Sequence, residues 1–111
     1  MNDTDVKIAA SIYKYYQEQV VKERSEYVYA MPVFKVVCKE QHMTLEGFET
    51  WLQNNWLNFI KRTIGYGMAV AGAGDLPPRQ RTAFYKRKNH VSVDGMRVAL
   101  ISMRKVSRFA S

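Results

Sequence analysis

The sequence predicts a small, mainly α-helical domain. A chain of 111 residues is long enough for one domain with one modest core. Apolar residues make up 47% of it and charged residues 24%, which is typical of a globular protein and too apolar for a wholly disordered one. Over residues 1–64, apolar side chains recur every three or four positions, as on one face of a helix. We therefore expect a helical region over 1–64, a flexible Gly/Pro connection over 65–80 and a basic segment over 81–111, together in a single domain.

The first predicted helix begins near the N-terminus, where Asn2, Asp3 or Thr4 can serve as its N-cap. One apolar face is formed by Val6, Ala9, Tyr13, Tyr16 and Val20. Further apolar side chains widen this face, namely Ile8, Ile12 and Tyr15. A face this broad predicts packing against more than one neighbour, or against a second copy of the chain.

Two more helices are predicted before residue 65. One runs from about Pro32 to Gln41, since proline is tolerated in the first turn of a helix. The next begins after Thr44, which can cap it, and we expect it to end at Gly65. Met43 before this cap can pack on Phe48 after it, in the arrangement of a hydrophobic staple.

This pair of helices resembles a helix-turn-helix. The packing positions of that motif are occupied by Val37, Cys38, Met43, Phe48 and Trp51. The turn of the motif needs a residue at positive φ, and His42 holds that place. If the second helix enters a DNA groove, Thr50 and Gln53 are the candidates for base reading. Its early exposed positions include Glu46 and Glu49, however, and carboxylates are repelled by phosphates, so a purely structural helical corner is the favoured alternative.

The stretch GYGMAVAGAGDLPPRQ shows no amphipathic period, and its Gly, Ala and Pro content predicts a mobile connection. It lacks the lysine followed by Ser or Thr of a P-loop, which argues against a phosphate-binding loop. Two structures remain open for the segment after it. Asp94-Gly95 can form the turn of an amphipathic β-hairpin, wing-like beside a helix-turn-helix, or residues 96–109 can form a basic helix.

The charge distribution is the main functional signal. Residues 1–50 carry six basic and eight acidic side chains, whereas residues 51–111 carry eleven basic and two acidic ones. Such segregation indicates an anionic partner for the second half. Nine candidate phosphate contacts lie there: Arg79, Arg81, Lys86, Arg87, Lys88, Arg97, Arg104, Lys105 and Arg108. Aromatic rings interleave with them as candidate stackers: Phe84, Tyr85, His90 and Phe109.

Catalysis and metal binding find little support. Cys38 and His42 stand four residues apart, close enough to meet on a helix, but no orienting acid accompanies them. One cysteine and two histidines are too few for a typical zinc site, and Glu46 and Glu49 fit the favoured place of acids in a first helical turn. We therefore expect no enzyme activity, no cofactor and no metal.

The sequence thus predicts a small basic nucleic-acid-binding protein that acts without catalysis, with DNA favoured over RNA and regulation of transcription or replication as its setting. The alternative is a protein-interaction module, an inhibitor or assembly factor, that docks a partner or a second copy through aromatic helices containing Trp51 and Trp56. A membrane partner is not expected. The single cysteine and the absence of a signal-peptide pattern at the N-terminus predict a cytoplasmic location.

Overall fold

The computed structural model of the protein describes residues 2–106. Four helices and a small antiparallel sheet form the domain, which is 57% helical, so the prediction of a mainly α-helical fold is confirmed. The helices are α1 (Asp3–Glu23), α2 (Ala30–Glu40), α3 (Leu45–Ile60) and α4 (Pro78–Lys86). The strands are β1 (Val28–Tyr29), β2 (Tyr66–Ala71), β3 (Ser92–Val93), β4 (Met96–Arg97) and β5 (Leu100–Lys105).

Side-chain caps start two of the helices as predicted. The Asn2 side chain accepts a hydrogen bond from the Asp5 amide at 2.9 Å, and the Thr44 hydroxyl accepts one from the Gly47 amide at 3.0 Å. Between α2 and α3 the chain turns at His42, whose φ of 54° lies in the left-handed region expected for it. Local chemistry therefore fixes the starts of α1 and α3 and the corner before α3.

Helix α3 is shorter than predicted. It ends at Ile60 and does not reach Gly65, because Arg62 adopts a left-handed φ of 59° that a continuing helix cannot accommodate. The Thr63 amide closes the turn by donating to the Asn58 carbonyl at 2.9 Å. Gly65, at a φ of 90°, then directs the chain into β2.

The three-stranded sheet has the order β1-β5-β2, with β5 in the centre. Its inner face contributes Val28, Met68, Ile101 and Met103 to the main core. On the helical side this core contains large buried side chains, among them Ile12, Phe34, Phe48, Leu52 and Phe59. One apolar cluster therefore joins α1, α2 and α3 to the sheet.

The prediction of a flexible connection over residues 65–80 is wrong. Residues 66–71 form strand β2, Ala73–Asp75 form a 3-10 turn, and α4 begins at Pro78. Met68 and Val70 of β2 face the core opposite Met103 and Ile101 of β5. The packing of these two side chains on the core and the pairing with β5 stabilise a strand in a segment whose glycines and alanines suggest a loop.

The hairpin alternative for the basic segment is confirmed. Val93 pairs with Met96 around Asp94 and Gly95, which both have positive φ as a two-residue hairpin turn requires. The helical alternative over residues 96–109 is wrong for the part described, because residues 100–105 pair with β2, and Leu100 and Ile101 also pair with β1. The end of that segment, including Arg108 and Phe109, lies outside the described residues.

Candidate nucleic-acid interface

Helix α4 and the two residues after it carry five of the nine basic side chains that the sequence singled out. Arg79, Lys86, Arg87 and Lys88 are all exposed. The helix is anchored by Phe84, which is buried in a small apolar cluster with Ala73, Leu76 and Ala99. The cations on α4 and just after it are therefore presented on a helix attached to the sheet, and not on a free tail.

Arg81 differs from the other arginines of α4 because its guanidinium group is engaged within the fold. It donates to the Ala73 carbonyl at 3.3 Å and to the Leu76 carbonyl at 3.2 Å. These bonds satisfy carbonyl groups at the 3-10 turn that precedes α4. Arg81 adds positive charge to this region, but two of its donors are used internally.

The β3–β4 hairpin reaches the same end of the molecule as α4. A Cβ built on Gly72 would lie 3.1 Å from the Met96 sulfur and 3.7 Å from the Arg97 carbonyl, so the hairpin packs directly on Gly72. Arg81 reaches Ala73, the next residue along the chain. We call the exposed cations of this end the α4–hairpin face: Arg79, Lys86, Arg87, Lys88 and Arg97.

The remaining predicted cations of the described chain lie at the other end of the sheet. Arg104 and Lys105 are exposed at the end of β5, whose six residues span about 17 Å at the usual rise per strand residue. Arg104 lies opposite Gly67 of β2, and the side chain of Arg62 packs on the same glycine. The eight predicted cations within residues 2–106 thus do not form one continuous surface, and Arg62 is a neighbour that the sequence does not indicate.

Few of these cations are neutralised by acids. Over residues 2–106, the one ion pair within 4.0 Å joins Arg104 to Glu26 at 3.9 Å, and both side chains are about 70% exposed. A pair this exposed contributes little to stability. Within the same range, the α4–hairpin face has no carboxylate partner at that distance, so its charge is available to an external anion.

The predicted stacking residues behave differently from one another. Phe84 is only 6% exposed, so its assignment as a stacker is wrong: its ring is committed to the small cluster under α4. Tyr85 is 58% exposed and remains accessible. His90 is half-buried, with its ring 4.8 Å from that of Phe84 and its Nε2 bonded to the Arg87 carbonyl. Of the candidates within the described residues, Tyr85 is the accessible ring.

The two predicted base-reading residues on α3 differ in whether their side chains are free. Thr50 is exposed, but the Gln53 amide donates to the Ser92 carbonyl at 3.0 Å. The Glu49 carboxylate accepts from the Ser92 amide at 2.7 Å. Together these two side chains hold the edge of the hairpin against α3, and we call them the Ser92 clamp. Gln53 is therefore occupied by the fold and does not project freely, contrary to the base-reading interpretation.

The Cys38 thiol and the potential metal ligands are the remaining reactive groups that the sequence analysis considered. Cys38 is buried, and burial raises the pKa of its thiol, the opposite of what a nucleophile requires. Among the residues that the structure describes, no three His, Cys, Asp and Glu side chains are grouped so that they could hold a metal ion. Within the same part of the chain, no helix has the length and apolar character needed to cross a membrane.

Comparisons of the chain with protein families, curated proteins and solved structures gave no significant match.

Proposed function

We propose that this protein binds nucleic acid, with the α4–hairpin face as its main contact with the phosphate backbone. The observation that supports the proposal is a set of five exposed cations on folded structure, none of which has a carboxylate of residues 2–106 within 4.0 Å. Three of the five are arginines, whose guanidinium groups bind phosphate oxygens in a bidentate manner. Release of counterions from the nucleic acid supplies the driving force for such contacts.

Duplex DNA is the first ligand we propose, in the regulation of transcription or replication. The capped corner at His42 and Thr44, and the wing-like hairpin beside α3, support a helix-turn-helix interpretation. The exposed carboxylate of Glu46 at the start of α3 disfavours entry of that helix into a DNA groove, because it would be repelled by phosphates. Lys88 lies across a cleft from Glu46. We therefore assign backbone contact to the α4–hairpin face and give α3 a supporting role.

The experiment is a salt titration of binding by wild type and two matched triple variants. One variant removes Arg87, Lys88 and Arg97 from the face by changing each to Gln. The control changes the exposed lysines Lys7, Lys14 and Lys35 of α1 and α2 to Gln, which lowers the net charge by the same amount.

Five phosphate contacts give a slope of log affinity against log salt near −4.5, and loss of three should reduce it to about −1.8. The control variant should keep a slope close to that of wild type, because its lysines lie outside the face. Equal slopes for the two variants would mean that only net charge matters, and would contradict a localised contact surface.

A protein-interaction module is the second candidate, favoured by two exposed apolar side chains one turn apart at the end of α3. Leu57 is 58% exposed and Ile60 is 54% exposed. Trp51, the anchor suggested by the sequence, is instead engaged internally, since its indole donates to Asp5 at 2.9 Å. If α3 mediates self-association, sedimentation velocity should show a concentration-dependent dimer that Leu57→Asp abolishes, and a monomer at all concentrations would argue against a homodimer.

A further inference from the structure

The outer face of the three-stranded sheet is covered by the apolar cluster under α4 at one end and is partly open at the other. Tyr29, Leu100 and Ala71 share a cross-strand row on this face, and the apolar cluster under α4 packs against the first two. The next rows pair Ser102 with Ala69 and Arg104 with Gly67. These rows form the floor of a groove of about 420 Å³, which we call the sheet groove.

The floor of the sheet groove is made of small side chains. Ala69 is exposed and Ser102 is small, so a planar group can approach the sheet closely there, beside Gly67, which the Arg62 stem covers. Along the walls stand Tyr27, which is 43% exposed, and Ile60. A volume of this size lies in the range of small-ligand sites, which begins at about 300 Å³.

Two arginines bracket the floor at Gly67. Arg104 lies opposite this glycine in the strand register. Arg62 lies over it, since a Cβ built on Gly67 would stand 3.2 Å from the Arg62 Nε and 3.3 Å from its Cγ. The left-handed backbone of Arg62, with a φ of 59°, directs the side chain there. Absence of a side chain at position 67 is therefore what lets the Arg62 stem rest on the sheet.

The electrostatic balance of the groove favours an anion. Of the groups that line it, Arg62 and Arg104 are cationic and Glu26 is the acid. Glu26 stands 3.9 Å from Arg104, and both groups are largely exposed, so the pair is weak and can exchange for a stronger ligand. A phosphate offers such a ligand, because arginine binds its oxygens through two parallel hydrogen bonds.

We propose that the sheet groove binds one unpaired nucleotide of a nucleic-acid strand, with its phosphate held by Arg62 and Arg104 and its base stacked against Tyr27 over the small-residue floor. This inference rests on the proposed nucleic-acid binding and specifies a single-stranded element within it. A flat sheet surface, an exposed aromatic ring and arginines are the combination by which unstacked bases are bound. A base within a duplex remains stacked and cannot occupy the groove.

The test measures fluorescence anisotropy of a labelled oligothymidylate and of a labelled duplex with the full chain at the same salt concentration. Tyr27→Ala removes the stacking ring, and Ala69→Leu fills the floor without changing charge. Arg62→Asn removes a cation while keeping a residue type that tolerates positive φ, and Arg24→Asn is its matched control, since Arg24 is exposed, has a φ of 53° and does not line the groove.

Each of the three groove variants should weaken single-strand binding by about fivefold or more, the loss typical of one stacked base. Duplex binding should change less than twofold, and Arg24→Asn should leave the single-strand affinity within twofold. Glu26→Gln should instead tighten single-strand binding by freeing Arg104, and should do so more than Glu18→Gln, which removes an exposed acid of α1. An increase of this kind cannot arise from a misfolded variant.

Three results would overturn the proposal. If the groove variants leave single-strand binding unchanged while duplex binding persists, the groove inference fails and the proposed function stands. If neither nucleic acid binds at low salt, both fail together. If the groove variants alter binding of a labelled polyglutamate peptide but not of the oligonucleotide, the groove takes an acidic peptide and not a nucleotide.

Discussion

The Ser92 clamp is a feature whose energetic contribution can be measured separately from any ligand. Glu49 provides a charged acceptor 2.7 Å from the Ser92 amide, and Gln53 donates to the carbonyl of the same residue at 3.0 Å. Hydrogen bonds to charged groups contribute about 1.5–3 kcal/mol, and this one lies at the lower end because it is only partly buried. We expect Glu49→Ala to lower the free energy of unfolding by about 1.5 kcal/mol.

Gln53→Ala should cost less, about 0.5–1 kcal/mol, because its bond is neutral and exposed. The double variant should lose less than the sum of the two, since the first substitution already loosens the hairpin that the second would release. At about 4–8 °C per kcal/mol for a domain of this size, Glu49→Ala should lower Tm by about 6–12 °C.

Urea unfolding followed by far-UV circular dichroism measures these differences, with Glu18→Ala on the exposed face of α1 as the control, expected within about 0.5 kcal/mol of wild type. Gln53→Ala should also leave the relative affinities for different DNA sequences unchanged, because its side chain serves the hairpin. If Glu49→Ala is no more destabilising than the control, or if Gln53→Ala changes sequence preference, the clamp interpretation is refuted.

Three further predictions concern local structure. Gly95→Ala should destabilise the domain by about 1 kcal/mol, because its φ of 75° penalises a Cβ; an unchanged urea midpoint would contradict the turn geometry. Thr44→Ala should cost about 1 kcal/mol through loss of the N-cap of α3, whereas Thr50→Ala, exposed on the same helix, should cost less than half of that, and equal losses would contradict the cap. Burial raises the pKa of Cys38, so the stability that its neutral thiol contributes is present below the unfolded pKa of about 8.5 and is lost as the pH rises through the higher folded pKa. In urea titrations, the stability advantage of wild type over Cys38→Ala should therefore shrink between pH 8 and pH 10. A constant difference would contradict the burial effect.

Features determined by local chemistry could be predicted from the sequence. The sequence indicates the cap at Thr44, and Asn2 as one of three candidate caps for α1, because each needs only its own side chain and an amide three residues away. The left-handed turn at His42 and the Asp94-Gly95 hairpin turn likewise depend on a few adjacent residues. These positions set the helix starts and the hairpin before any long-range contact is considered.

Features determined by tertiary pairing were missed. In β2, small residues at positions 67 and 69 alternate with the core-facing Met68 and Val70. This alternation is too short to distinguish a strand from a glycine-rich loop in the sequence, and the pairing with β5 determines the strand. The sequence pattern predicts Phe84 as an exposed stacker and does not indicate its burial, because the residues that bury it lie at the 3-10 turn and at Ala99. Arg62 was overlooked because its proximity to Gly67 depends on where α3 ends. Each of these outcomes depends on contacts between segments distant in the sequence, which local patterns do not specify.

Binding of labelled duplex DNA, duplex RNA and single strands by the purified full chain, followed by fluorescence anisotropy from low to physiological salt and above, tests the proposed function most directly. We expect duplex DNA to bind with a slope of log affinity against log salt near −4.5, as five phosphate contacts require. No binding of any of these nucleic acids at low salt would contradict the proposed function.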